Sequence, residues 1–243
     1  MIPLKRLDPP NILVKKAAEW RDEFLDKKKN DATAKSAAKR YGHKHVRERL
    51  RATSHNKCFY CEAMVQGASE QVDHHVEHSE QPRHAYDWEY LYLSCIDCNV
   101  GKPSNAEIPV KACLDPCGRF AAERIEDHLT FRDEVACERD GSPWGLKTIQ
   151  KYRLNRPTLR YERLKQLQRF CSEVMDLLRV LNVQKRPMRA ADIARLRVYA
   201  SPTMPFSRMI DVYLQGFIRK LNAGARPPSR SSRGGRGGAP AAR

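Results

Sequence analysis

A chain of 243 residues with 41% hydrophobic composition can bury a sizeable core in one large or two small domains. No stretch approaches the roughly 18 successive apolar residues of a membrane span, and Asp8-Pro9-Pro10 follows Lys5-Arg6 where a secretory signal would place its apolar run, so a soluble, cytoplasmic protein with no membrane partner is expected. The net charge of +16 points instead to an anionic partner such as nucleic acid.

In chain order, Ile12 to Lys29 carries Val14, Ala17, Ala18 and Leu25 at helical spacing, with Trp20 and Phe24 four apart, and is expected to be a helix. A second helix, capped by Asn30 or Asp31, is expected to run through Ala-rich sequence to about Arg51. Cys58-Phe59-Tyr60-Cys61 forms a tight knuckle, Gly67 marks a turn, and Gln71-Val72-Asp73 begins an extended run. After Cys95 a short helix carries Asn99. Leu129-Thr130-Phe131 and Val135-Ala136-Cys137 suit a hairpin, and helices follow from Trp144, then at Pro157–Leu181, Met188–Tyr199 and Pro205–Leu221, with prolines where a first turn tolerates them. Residues 226–243, with Arg and Gly repeated and no acid, lack the side chains to pack and are expected to be disordered and cationic.

Charge is distributed unevenly along these elements. Residues 27–51 hold ten Lys/Arg against two acids and residues 151–197 hold thirteen against four, whereas residues 58–140 hold seven against seventeen. An acidic centre suits a cation, and basic flanks suit phosphate, each neutralised phosphate adding salt-sensitive affinity.

The acidic centre also contains two Cys-x-x-Cys pairs, Cys58/Cys61 and Cys95/Cys98, on either side of Val72-Asp73-His74-His75. Four thiolates in two pairs can close a tetrahedral Zn²⁺ shell, and zinc fits this pattern better than a disulfide framework or a thioredoxin-like site, which uses one pair. One carboxylate, one imidazole and one amide, Asp73, His74 and Asn99, then suit a single hard cation beside a general base.

Cys-Phe-Tyr-Cys-Glu at 58–62, Val-Asp-His at 72–74 and Cys-Ile-Asp-Cys-Asn-Val-Gly-Lys at 95–102 resemble the HNH (ββα-metal) endonucleases. Asp87-Trp88, Leu91-Tyr92-Leu93-Ser94, Leu114-Asp115-Pro116, Thr148-Ile149 and Leu154-Asn155 with Leu159 and Arg163 look like the retron-associated branch, which includes the nuclease subunit of Septu-type anti-phage pairs. The resemblance implies structural Zn²⁺ on Cys58, Cys61, Cys95 and Cys98, a catalytic Mg²⁺ or Mn²⁺ on Asp73 and Asn99, and His74 as general base. It further implies a nucleic-acid substrate, DNA in preference to RNA, and an ABC-type ATPase partner. Tyr90 stands where the family usually has an Asn that ties the loop behind the base.

The expected architecture is α+β and predominantly helical, a zinc-stapled ββα-metal nuclease insert flanked by basic helices. Its partition is a basic helical region 1–54, the nuclease core 55–103, a hairpin and helical region 104–225, and the tail 226–243. Asp73-His74 is preferred over Glu77-His78 as the motif because the step from Asp73 to Trp88 agrees with the family spacing. His75 and His78 are then second-layer or phosphate-facing, and His43, His45 and His84 lie at the surface. Lys102 is either a phosphate contact or, more commonly for such a residue, a helix-surface lysine. Cys113, Cys117, Cys137 and Cys171 are small buried hydrophobes or free thiols. An alternative function is a zinc-stapled nucleic-acid-binding or adaptor subunit with a weakened nuclease site.

Overall fold

The computed structural model describes residues 1–29, 39–120 and 123–224; the proposed caps Asn30 and Asp31 and the Arg/Gly-rich tail lie outside them. Among the described residues the fold is α+β, with a majority of helix and two small antiparallel sheets. Helix α1, Asn11–Lys29, begins as Leu13 and Val14 donate to the Pro10 carbonyl at 2.9 and 3.2 Å. Leu13, Trp20 and Phe24 make its buried stripe. Trp20 and Phe24 both meet the Tyr86 ring edge-on, at 5.8 and 6.2 Å, so α1 braces the loop that follows β1.

Lys39–Gly42 form one 3-10 turn, and a separate helix α2, Lys44–Ser54, starts after it. The continuous helix expected to run up to Arg51 is therefore broken at His43, whose Nδ1 accepts from the His45 backbone N–H at 3.2 Å and caps α2. Val46 and Leu50 of α2 are fully buried, facing the central sheet.

That sheet pairs β1, Glu70–His74, with β2, Leu91–Cys95, in the register Glu70↔Cys95 through His74↔Leu91. Every residue of β2 is buried, because α2, the N-terminal segment and the helix α3, Ile96–Val100, enclose the sheet. Residues 1–10 are held across it: Arg6 Nη1 donates to the carbonyls of Trp88 and Leu91 at 2.9 and 3.0 Å, and Trp88 Nε1 donates to the Leu7 carbonyl at 2.8 Å.

After the short α4, Ile125–His128, the expected hairpin appears as β3, Leu129–Arg132, and β4, Val135–Glu138. Helix α5, Pro143–Lys151, is capped by Ser142 and packs on β4 so closely that a Cβ on Gly145 would lie 2.1 Å from the His128 carbonyl oxygen. Helices α6, Pro157–Val183, α7, Ala190–Arg197, and α8, Ser207–Gly224, complete the chain close to the expected bounds.

Along α6, Leu164, Leu167, Phe170, Val174 and Leu178 recur at helical spacing; Leu167 and Phe170 are buried, Val174 is half-buried, and Leu164 and Leu178 reach solvent. One continuous core runs from Met1 to Leu214, so the flanking helices and the central sheet fold as one body. Among the described residues no helix is long and apolar enough to cross a membrane.

Several residues of the flanking resemblance prove to be clamps. Asn155 pairs with Ala136 through both amide atoms, at 2.8 and 2.9 Å, and Thr148 Oγ1 accepts from the Leu114 N–H at 2.8 Å. Arg163, buried on α6, donates to the Leu154 carbonyl at 2.6 Å. Asp115 accepts from the Tyr92 hydroxyl and from the backbone N–H groups of Cys117, Arg119 and Phe120, at 2.7 to 2.9 Å.

The deepest polar joint is centred on Glu62. Its carboxylate meets the Met1 ammonium at 2.7 Å, Lys57 Nζ at 3.2 Å and Ser207 Oγ at 2.7 Å, all buried. Burial alone would raise the Glu62 carboxyl, but the two cations outweigh it and hold it at about 2. Removing one partner of such a buried cluster leaves uncompensated charge, at a cost of about 3–5 kcal/mol. Glu62→Gln is therefore expected to lower the stability to urea unfolding by about that amount; an unchanged unfolding midpoint would contradict this account.

Candidate functional site

The knuckle that carries the first cysteine pair is a tight reversal. The Cys58 N–H donates to the Ala63 carbonyl at 2.8 Å, the Glu62 N–H to the Cys58 carbonyl at 3.1 Å, and Glu62 takes a left-handed φ of 63°. The Phe59 N–H donates to the Leu93 carbonyl at 2.9 Å, which docks the knuckle on β2. Cys95 ends β2 and caps α3, and Cys98 lies one turn further on.

These elements bring the ligand atoms of Cys58, Cys61, Cys95 and Cys98 within 4.8 Å of one another, all four buried and none in a disulfide. Burial pushes the Cys58 thiol well above its ordinary range while hydrogen bonds from the other cysteines hold Cys61 well below its own, so ionising all four together requires compensating positive charge. The cluster could hold a metal ion, and its donor set suits tetrahedral zinc.

Arg156, at the start of α6, faces the same sulfurs. Its Nη1 lies 3.5 Å from Cys98 Sγ, and its Nη2 lies 3.4 and 3.8 Å from the Sγ atoms of Cys95 and Cys61. Burial disfavours the charge on Arg156, and the facing sulfurs more than reverse that effect, raising its pKa. The guanidinium thus offsets part of the negative charge that a four-thiolate site concentrates.

On the other side of α3, Asp73, His74, Glu77, His78, Asn99 and Lys102 line one cleft of about 270 Å³, with Tyr41 at its wall. The three sequence-predicted residues Asp73, His74 and Asn99 are thus brought together, and so is the competing pair Glu77-His78. His74 is fixed by its Nε2, 2.8 Å from the Ala85 carbonyl oxygen. A carbonyl only accepts, so Nε2 carries the proton and Nδ1 of the neutral ring keeps its lone pair. Tyr41 and His78 meet this ring edge-on at 4.5 and 4.8 Å. Burial lowers the His74 pKa to about 4, so the ring is neutral at cellular pH.

Asp73 accepts from the Tyr60 hydroxyl on Oδ2 at 2.7 Å and from Lys102 Nζ on Oδ1 at 2.5 Å. Lys102 also donates to the His74 carbonyl at 3.1 Å, and its side chain is 8% exposed. It is therefore a member of the cleft and not a helix-surface lysine. Glu77 Oε1 accepts from the Asn105 N–H at 3.2 Å, which ties the far rim.

His75, expected to be second-layer or phosphate-facing, takes the first of these places, behind the Tyr60 hydroxyl that donates to Asp73. It is buried, stacked on Tyr92 at 4.4 Å and Phe120 at 5.0 Å, with Nδ1 3.3 Å from the Tyr60 hydroxyl oxygen. His45 is exposed as expected, whereas His43 is half-buried and tilted against Trp20 at 6.2 Å, and His84 is half-buried and stacked on Tyr90. Tyr90, at the usual Asn position, stacks on His84 at 4.4 Å with the planes 2° apart, and His84 Nδ1 pairs with Asp87 Oδ2 at 2.6 Å. Ring stacking thus ties the loop that presents the Ala85 carbonyl to His74. Cys113 is buried, Cys117 and Cys137 are half-buried, and Cys171 is exposed, so Cys171 is a free thiol and not a core residue.

Sequence reasoning missed the roles of Tyr60, Ala85 and Arg156. Of these only Tyr60 had a local signal, as the aromatic inside the knuckle.

The fold and the four-sulfur cluster define an α+β protein with a buried four-cysteine cluster that could hold a metal ion, beside a polar cleft. No protein-family model matches the chain. Over 118 residues it is 28% identical to the Septu protein PtuB of Bacillus thuringiensis, a match covering 48% of this chain and 42% of that protein. The matched part is thus less than half of either length, and the similarity supports a distant Septu-type relationship.

Cys95→Ser is expected to abolish retention of one zinc per chain and to unfold the sheet region, since structural zinc contributes on the order of 10 kcal/mol to local folding. Elemental analysis finding no zinc in the unaltered protein, purified without chelator, would refute the assignment. The buried His75, held at about 4 by desolvation, gives a second expectation. Between its ordinary pKa near 6.5 and about 4 the unfolded chain binds more protons than the folded one, so this contribution to stability falls as pH drops through that window. His75→Phe keeps the ring stack and should flatten the decline in urea stability from about pH 6.5 to 4; a decline parallel to the unaltered protein would contradict it.

Proposed function

We propose that this chain is a metal-dependent HNH-type endonuclease that hydrolyses nucleic-acid phosphodiesters, DNA in preference to RNA. We further propose that it is the effector of an anti-phage defence system working with an ABC-type ATPase. The observation that carries this proposal is the convergence of Asp73, His74 and Asn99 in one cleft, with His74 anchored through Nε2 so that Nδ1 is left as the base.

In this mechanism His74 Nδ1 takes the proton of the attacking water as its oxygen bonds to phosphorus and the ester bond to the leaving oxygen breaks. Asp73 and Asn99 would hold Mg²⁺ or Mn²⁺, which would supply several kcal/mol of stabilisation to the negative charge that develops on the reacting phosphate oxygens. The Ala85 carbonyl keeps the imidazole oriented, and Tyr41 and His78 confine it. Because His74 is neutral above about pH 4, its protonation places no limb on the rate profile between pH 5 and 8. The basic segments 27–51 and 151–197 supply charge for gripping phosphate. Apolar residues left at the surface of α6, among them Met175 at 53% and Val183 at 81% exposure, support a protein partner on the helical side.

One observation favours the adaptor alternative: both Asp73 oxygens are already engaged, by Tyr60 and Lys102.

Plasmid nicking that depends on Mg²⁺ or Mn²⁺ is the test. His74→Ala should reduce it at least about 100-fold while leaving zinc content unchanged. Asp73→Ala should be partly rescued by high Mn²⁺. Loss of nicking in His78→Ala but not in His74→Ala would overturn the assignment of the base. No divalent-dependent nicking by the unaltered chain, alone or co-purified with the co-expressed ATPase, would select the adaptor.

A further inference from the structure

The proposed ion site has an occupant of its own. Lys102 Nζ sits 2.5 Å from Asp73 Oδ1 and 3.1 Å from the His74 carbonyl oxygen, and the Tyr60 hydroxyl takes Oδ2 at 2.7 Å. All three side chains are almost wholly enclosed, so the pairing is not a passing surface contact. An ion coordinated by Asp73 needs one of these oxygens. Tyr60 cannot yield readily: it is fully buried and stacked on Tyr152 at 3.9 Å, whereas Lys102 is a flexible side chain at the cleft edge. The ammonium is the partner able to move, and its open side is the cleft.

We propose that Lys102 is a resident counter-cation which a divalent ion displaces from Asp73, and that the displaced ammonium is then taken by a phosphate of the nucleic acid. This rests on the nuclease assignment and adds to it a coupling between ion and substrate. With no phosphodiester in the cleft, the ion must evict a well-paired ammonium, and only the fraction of molecules with Lys102 swung out is competent to bind. A phosphodiester rewards the swung-out state, so each ligand strengthens the other by the same factor. Nucleic acid would then load the metal, and a free chain would hold little of it.

The test is Mn²⁺ affinity of the zinc-loaded, full-length protein, measured by electron paramagnetic resonance with and without a short phosphorothioate duplex. Asp73→Asn identifies the signal of this site. The unaltered protein should bind Mn²⁺ about tenfold more tightly when the duplex is present. Lys102→Met should bind about tenfold more tightly without the duplex and gain little from it. Lys102→Arg keeps the charge and should stay weak without the duplex.

Equal affinity of the unaltered protein and Lys102→Met, at a site that Asp73→Asn removes, would overturn the exchange and leave the nuclease assignment standing. So would the absence of any effect of the duplex on the unaltered protein, a result that does not depend on how well the variants fold. No Asp73-dependent Mn²⁺ site in any of these proteins, with or without duplex, would overturn both.

Discussion

Four sulfurs within 4.8 Å of one another are the constraint on which the rest of the site depends. They come from two ends of the central sheet region, the knuckle before β1 and the junction of β2 with α3, and no local preference of either segment would hold them together. As thiolates they repel; as buried thiols they give up hydration for weak hydrogen bonds. A divalent cation held there would turn that repulsion into the bond that closes the element, and the Arg156 guanidinium offsets part of the remaining charge. Once the sulfurs converge, α3 has one orientation on β1 and β2. That orientation sets Asn99 of α3 across the cleft from Asp73 and His74 at the end of β1.

The helices around this small centre are joined to it through ionised or hydrogen-bonded groups taken out of water. Glu62 follows the last cysteine of the knuckle and ties it to the amino terminus, Lys57 and the start of α8. Arg156 ties the start of α6 to the sulfurs, and Asp115 ties the following loop to Tyr92 of β2. A buried carboxylate or guanidinium is tolerated only with its partners in place, so each joint penalises misassembly more than it adds to stability. The result is a sheet of five-residue strands, too small to stand alone, held within a core that runs from Met1 to Leu214.

What could be read from the sequence was what is encoded locally. Cys-x-x-Cys spacing, the Asp73-His74 step and helical periodicity from Pro157 onward each need only a few neighbouring residues, and the structure has elements at those places. The helix expected to reach Arg51 failed at Gly42-His43, where a capping imidazole starts a new helix that Ala-rich composition does not reveal. His75 was left between a second-layer and a phosphate-facing place because the residue just after β1 carries no periodic signal, and its contact with Tyr60 lies fifteen residues away. The contacts of Lys102 with Asp73 and of Arg156 with the cysteines span 29 to 95 residues, and charge alone does not name its partner at that distance. Tyr90 shows the same limit: a departure from a motif was visible, whereas the His84 ring that compensates for it was not.

In the function we propose, the staple, the anchored imidazole and the guarded carboxylate belong to a cleft that acts on phosphate only when an ion is present. The most direct test is anomalous diffraction from crystals of the zinc-loaded protein grown with Mn²⁺ and a short phosphorothioate duplex. The account requires a zinc peak among Cys58, Cys61, Cys95 and Cys98, and a manganese peak about 2 Å from oxygens of Asp73 and Asn99, with Lys102 turned to a phosphate. A map with zinc at the cysteines, no manganese in the cleft and Lys102 still on Asp73 would contradict it.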